Sequence, residues 1–161
     1  MPFIETERLL LIPFTFDMMA LGVKAVSSEY GVAPDWPNAN LAEALPVIAA
    51  EVARNKTLER WNRLMVMRTT RAVVGEVGFK ALPDERGRVE IGYGVAASHR
   101  RLGLATEAVV GMCEWGLAQA GVRVVRAECL SDNIGSIGVL RRAGFAEIGR
   151  RGELIEWALA E

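Results

Sequence analysis

Three strand-like runs, Arg63 to Arg68, Val73 to Phe79 and Arg88 to Val95, follow one another with only short links between them. A parallel return would need a crossover of about a dozen residues or more, so these runs pair as an antiparallel meander, and any fold of this chain is built around that sheet. Immediately after Val95 the apolar period changes from two to helical: Ala105, Ala108, Val109, Met112, Trp115 and Gly116 share one face, with Glu107, Gly111, Glu114 and Ala118 opposite. The flanks extend the pattern. Leu9 to Pro13 reads as a strand, Asp17 caps a helix running to about Ser27, and Tyr30 to Asn40 is a loop marked by Gly31, Pro34 and Pro37. A second helix spans about Leu41 to Leu58, with Pro46 as an internal irregularity. Val124 to Leu130 is a buried strand, Asn133 to Ala143 a helix that stops at Gly144, and Phe145 to Ile148 with Leu154 to Leu159 a closing strand pair. The order βααβββαβαββ predicts an α/β (α+β) fold in one domain, residues 1–161. It is a mixed, mostly antiparallel sheet of about seven strands with helices on it.

At 161 residues the chain can bury one sizeable core. A formal net charge of −1 and the lack of any Lys/Arg run argue against nucleic acid as a partner. The opening Met1-Pro2-Phe3-Ile4-Glu5-Thr6-Glu7-Arg8 is not a signal peptide, and no apolar run is long enough to span a bilayer. A cytoplasmic protein without a membrane partner is expected. Cys113 and Cys129 lie in apolar patterns without disulfide or metal spacing, and with His99 as the single histidine no metal site is expected.

The stretch Val95-Ala96-Ala97-Ser98-His99-Arg100-Arg101-Leu102-Gly103-Leu104-Ala105-Thr106 joins a strand directly to an amphipathic helix. Such a junction aims free backbone N–H groups and the positive end of the helix dipole at one point, which suits a pyrophosphate. Gly103 and Ala105 keep the backbone approachable, and Arg100 and Arg101 add charge. A plain turn with two solvated arginines is the alternative. In the preceding strand Glu90 shares a face with Gly92 and Gly94, which leave room for a ligand. Glu90 is thus either a general base in a partly desolvated cleft or one end of an ion pair with Arg88 or Lys80. Asn133 and Ser136 are either an N-cap with a hydroxyl in the first turn or a polar pair presented to a ligand. Arg141 and Arg142 complement the end of the same helix, and either can reach a phosphate.

Together these motifs resemble the GNAT superfamily of N-acetyltransferases over nearly the whole chain. Glu5-Thr6-Glu7-Arg8-Leu9-Leu10-Leu11 resembles the opening of its Rim-type branch, whose members acetylate N-terminal amines of ribosomal proteins. Glu90-Ile91-Gly92-Tyr93 and then Arg100-x-x-Gly103-x-Ala105-Thr106-Glu107-Ala108 resemble the fourth strand and the pyrophosphate motif. Asn133-x-x-Ser136, Leu140 and Ala143-Gly144-Phe145 resemble the motif that closes the other side. The resemblance implies a sheet splayed between the strands ending at Val95 and beginning at Val124, with acetyl-CoA as co-substrate in the gap. Main-chain groups at Val95 and Ala97 would pair with the pantetheine arm, N–H groups of Arg101, Gly103, Leu104, Ala105 and Thr106 would hold the pyrophosphate beside Arg100, and Asn133 would touch the pantetheine. Two positions depart from the pattern: Arg101 replaces a usual glycine, which puts the start of the phosphate loop in question, and Gly94 replaces a common aromatic, which implies a wider channel.

The implied reaction is direct transfer of an acetyl group to a primary amine, on a small molecule or a protein N-terminus. Glu90 would serve as base, Ser136 as the acid at the departing sulfur, and Glu76 or ordered water as the fallback. The alternative is a non-catalytic acyl-CoA-binding sensor. The loop from Tyr30 to Asn38 would border the acceptor, with Asp35 and Trp36 offering a carboxylate and an aromatic face to a cationic amine, unless Trp36 covers the end of the core. A homodimer is compatible with all of this.

Overall fold

The computed structural model describes residues 2–160, so the terminal residues of the expected domain, Met1 and Glu161, lie outside the described part. In chain order its elements are β1 (Ile4–Glu5), β2 (Leu9–Pro13), α1 (Phe16–Leu21), α2 (Val23–Ser27), β3 (Gly31–Val32), α3 (Ala39–Arg54), β4 (Asn62–Met67), β5 (Ala72–Phe79) and β6 (Arg88–Val95). There follow α4 (Leu104–Leu117), β7 (Val124–Leu130), α5 (Ile134–Arg142), β8 (Ala146–Arg151) and β9 (Leu154–Ala160). The meander β4, β5, β6 is present, and β2 extends it on one side through five antiparallel pairs with β4. Nine strands form the sheet in the order β1-β2-β4-β5-β6-β7-β9-β8, with β3 paired parallel to β5 off that path. The excess over about seven comes from β1 and β3. Each is two residues long, too short to show a period of two in the sequence.

The first helix is capped two residues earlier than expected. Thr15 is the N-cap, accepting from the Met18 N–H at 3.3 Å, while Asp17 sits in the first turn. Gly22, at φ 74°, then divides that helix into α1 and α2. Asn38 caps α3 by accepting from Leu41 N–H at 2.8 Å, and Pro46 is carried inside the helix, which ends at Arg54; a 3-10 turn over Lys56–Trp61 takes up the rest of the expected segment. Helices α1 to α3 cover one face of the sheet. The other face receives α4, whose Leu104, Ala108, Val109, Met112 and Cys113 are buried against β2, β6 and their neighbours.

The sheet is divided where the resemblance implied. Parallel pairing of β6 with β7 runs for three positions, Arg88 with Val124, Val89 with Val125 and Glu90 with Arg126, and then stops. Strand β6 continues to Val95 and β7 to Leu130 without further pairing between them. Beyond Glu90 the strands diverge, and α4 and α5 begin at the open end. Among the described residues no helix is long and apolar enough to cross a membrane.

Candidate active site

The divergence opens a cleft of about 480 Å³ lined by Val95, Arg100, Arg101, Gly103, Leu104, Ala105 and Thr106 on one side and Asn133, Ser136 and Arg142 on the other. Its floor is the N-terminus of α4. Gly103 is the N-cap in the left-handed region, at φ 80°, and offers no side chain to the helix donors. The first main-chain bond of the helix is Glu107 N–H to the Gly103 carbonyl, so the N–H groups of Leu104, Ala105 and Thr106 are left for a ligand. The Thr106 hydroxyl is buried with no partner at all. Free donors, the positive helix end and Arg142 at the rim fit a diphosphate, and an acyl-CoA is the ligand whose diphosphate continues into a narrow arm.

Arg101 takes the left-handed conformation itself, at φ 63°, so the loop keeps the turn that glycine usually makes there. A left-handed non-glycine residue costs about 1–2 kcal/mol. Glycine would add about 0.5–1 kcal/mol of unfolded-state entropy, so Arg101→Gly is expected to stabilise the protein by about 0.5 kcal/mol, read as a small rise in the urea midpoint.

The loop is tied from behind by the first residues of the chain. Arg8 donates from Nη1 to the Leu102 carbonyl at 2.7 Å, the only side-chain bond to the main chain of residues 101–103 among the described residues. Its Nε and its own N–H bond the two oxygens of Glu107, in the first turn of α4, at 2.9 and 2.8 Å, and the Thr6 hydroxyl donates to the same carboxylate. Burial pushes the Glu107 carboxyl up, but the bonds from Thr6 and Arg8 outweigh it and hold it below the ordinary value. The Glu5-Thr6-Glu7-Arg8 segment therefore reaches the cofactor side through its even positions.

Several expected residues are placed elsewhere. Glu90 pairs with Lys80 across the strands and lines a separate polar groove with Arg126, Glu128 and Glu156, so the space beside Gly92 does not receive it. The Val95 carbonyl accepts from Arg100 Nε at 3.1 Å, and Ala97 lies in a short 3-10 turn outside the cleft lining. Asp35 is engaged by the turn after β6: its carboxylate accepts from the Ser98 N–H and hydroxyl, both at 2.7 Å, and those bonds hold it below the usual carboxylate range. Trp36 is buried, 5% exposed, against Phe14, and its indole N–H donates to Glu76 at 2.7 Å. Arg141 lies over the Trp157 ring at 5.9 Å, leaving Arg142 as the arginine of that pair in the cleft. Burial pushes the Cys113 thiol up to about 12, and Cys129 accepts from Trp157 Nε1 at 3.3 Å.

A second cleft of about 560 Å³ lies between α3 and the sheet, and it shares Asn38 and Tyr93 with the first. Glu76 stands at this junction. Burial pushes its carboxyl up to about 7, against the opposing pull of the Trp36 hydrogen bond. Residue 94 lies directly opposite Glu76 in the β5–β6 register. A Cβ built on Gly94 would strike Glu76 Oε1 and come within 3.4 Å of Asn38 Nδ2, so the missing aromatic makes room for the carboxylate and does not widen the channel. On the other side of β6, Tyr93 Oη lies 2.6 Å from Ser136 Oγ. Burial raises the Tyr93 pKa, with the Ser136 hydrogen bond acting the other way. The hydroxyl pair and the near-neutral carboxylate thus flank one strand. Sequence patterns singled out Ser136 but not Tyr93. The signal for Glu76 is a lone ionisable residue in the apolar run Ala72–Phe79, opposite a glycine.

Residues 8–146 match the Acetyltransferase (GNAT) domain family. The chain is 33% identical over 126 residues to the uncharacterized N-acetyltransferase YjdG of Bacillus subtilis (strain 168), covering 76% of this chain and 74% of that protein. Among solved structures, a GNAT-family acetyltransferase from Bacillus anthracis superposes with a TM-score of 0.70 at 18% identity, over 99% of this chain and 98% of that one. RimL, a ribosomal L7/L12 alpha-N-protein acetyltransferase in complex with coenzyme A, gives 0.69 at 18% identity over 99% and 98% of the two chains. With a split sheet, a donor-rich helix end at the split and a domain match over most of its length, this chain belongs to the GNAT family of N-acetyltransferases.

Proposed function

We propose that the protein transfers the acetyl group of acetyl-CoA directly to a primary amine, with Glu76 as general base and the Tyr93–Ser136 pair as general acid. The observation that carries this is the position of Glu76, a half-buried carboxyl pushed up to about 7 where the two clefts meet. A base is most effective when its pKa lies near the working pH, and burial tunes this one there. The diphosphate would be held by the N–H groups of Leu104, Ala105 and Thr106, with Arg100, Arg101 and Arg142 at the rim. Asn133 and the unpaired main chain of β6 past Glu90 would align the pantetheine arm. Arg8, Thr6 and Glu107 act as positioning residues, fixing the loop from its far side.

Glu76 takes a proton from the amine, directly or through water. The amine lone pair forms the new C–N bond at the thioester carbonyl, the C–S bond breaks, and the Tyr93–Ser136 pair delivers a proton to the departing sulfur. Trp36 positions the base by holding one carboxylate oxygen. Coenzyme A release, followed with acetyl-CoA and a panel of amines, tests the proposal. Tyr93→Phe and Ser136→Ala are each expected to lower kcat by roughly 10²-fold with little change in KM for acetyl-CoA. Normal kcat in both variants would remove the pair from the chemistry.

A further inference from the structure

Helix α3 is more apolar than its packing explains. Of its sixteen residues only Val52 is fully buried; Leu41, Leu45, Ile48 and Ala49 pack partly against the core, and Ala44 and Val47, at helical spacing from Leu41 and Ile48, stay exposed. An amphipathic helix ordinarily hides such a stripe against the core. Here the stripe forms one wall of the second cleft, with Val47 67% exposed. The opposite wall is the sheet, where Gly78 and Gly92 present no side chains. At about 560 Å³ the cleft is of the size that takes a small organic ligand, roughly 300–1,000 Å³.

Most of its polar groups are already engaged. Lys80 lies along Gly92, its Cε 3.4 Å from where a Cβ would stand, and pairs with Glu90. Glu51 is paired with Arg54 at 2.8 Å. Asn38 caps α3, and Asn62 donates to the Leu58 carbonyl at 2.9 Å. The Arg63 guanidinium turns to the other face of the sheet, where it bonds the Pro2 carbonyl and lies over Trp115. What remains is the exposed Asn40 and, at the end that meets the cofactor cleft, Glu76, which takes a bond from Trp36 on one carboxylate oxygen only.

We infer that the acceptor is a small primary amine carried on a large apolar group, alkyl or arylalkyl, with its nitrogen at Glu76 and its apolar part along α3. This rests on the transfer reaction proposed above. A polyamine would bring further cations with no free carboxylate to meet them. A peptide would bury main-chain N–H and carbonyl groups against a wall that has few open partners, which is costly. An apolar group loses nothing there and removes the α3 stripe from water.

The test is coenzyme A release by the full chain with acetyl-CoA and straight-chain amines from propylamine to octylamine, together with phenethylamine, spermidine and an alanyl tripeptide. Each added methylene is expected to raise kcat/KM by about three- to fourfold until the cleft is filled, and phenethylamine should exceed spermidine and the peptide. KM for acetyl-CoA should stay constant along the series. Val47→Glu, at an exposed position that leaves the fold intact by melting temperature, should flatten the chain-length dependence. A flat series in the parent protein, or spermidine or the peptide as the best acceptor, overturns the apolar class while transfer itself stands. If no amine releases coenzyme A above the rate without acceptor, the transfer reaction fails and this inference with it.

Discussion

Glu76→Gln is expected to lower kcat by roughly 10²- to 10⁴-fold, the usual cost of losing a positioned base, while KM for acetyl-CoA changes little because the carboxylate lines the second cleft and not the one at the start of α4. The pH profile carries the sharper signature. A base titrating near 7 must be deprotonated to work, so log(kcat/KM) of the parent should bend near pH 7, and the variant should show no bend there. Stability should move the other way. The folded carboxyl sits near 7 against an ordinary 4.5, so the native state holds a proton more firmly than the unfolded chain between those values. The parent therefore loses stability as pH rises through that window. Glutamine keeps the Trp36 hydrogen bond without a charge to desolvate, and the variant should exceed the parent above pH 7 by up to about 3 kcal/mol, the gain vanishing below pH 4.5. Urea unfolding at pH 4 and pH 8 measures both limits. A carboxylate retained at such a cost points to function.

The second large effect is expected at Arg8, which touches neither cleft. Arg8→Ala removes the tie to the Leu102 carbonyl and the Nε bond to Glu107 at once, leaving only the main-chain N–H bond to that carboxylate. The loop between the left-handed Arg101 and Gly103 then has no side chain holding its main chain. Affinity for acetyl-CoA should fall by roughly 10- to 100-fold, the equivalent of one or two charge-assisted hydrogen bonds. A truncated donor, acetylated pantetheine without the diphosphate, should be used as well by the variant as by the parent. General loss of structure would impair both donors equally, so the ratio isolates the loop. Glu107→Gln should produce the same selectivity, and the double variant should cost less than the sum of the two, because both act on one contact.

The sequence revealed most where a period was long. The meander and α4 run over enough residues for their pattern to be unambiguous, and their ends differ from expectation by a residue or two. The two-residue strands and the break of the first helix at Gly22 depend on tertiary pairing and on one positive φ, neither of which has a period. The donor-rich start of α4 is legible because a helix N-terminus with small residues is a local feature. The proposed base is not, because which carboxylate stays unpaired depends on which one finds a cation. Glu90 and Glu76 point to the same face of neighbouring strands, and each has a glycine near it. Lys80, one position past Phe79, reaches Glu90 and pairs with it, while Glu76 finds only the Trp36 N–H and stays desolvated. Asp35 and Trp36 were expected side by side at the acceptor, yet the loop sends them apart, one to Ser98 and the other to Glu76.

The seam of three paired positions between β6 and β7 is the one place where the strands of the two halves of the sheet pair among the described residues, while α4 packs across both halves. From Glu90 to Val95 the edge of β6 that β7 leaves unpaired extends about 16 Å, so a rotation of about 5° of the β5–β6 side at the seam moves its tip by about 1.4 Å. The seam acts as the fulcrum of a lever. Its closed end is fastened by Gly87, whose carbonyl accepts from both Arg123 and Val124 N–H at 2.7 and 3.1 Å. Substitutions at Gly87 or Arg123, remote from every group that touches a substrate, would therefore set the gauge of the cofactor channel.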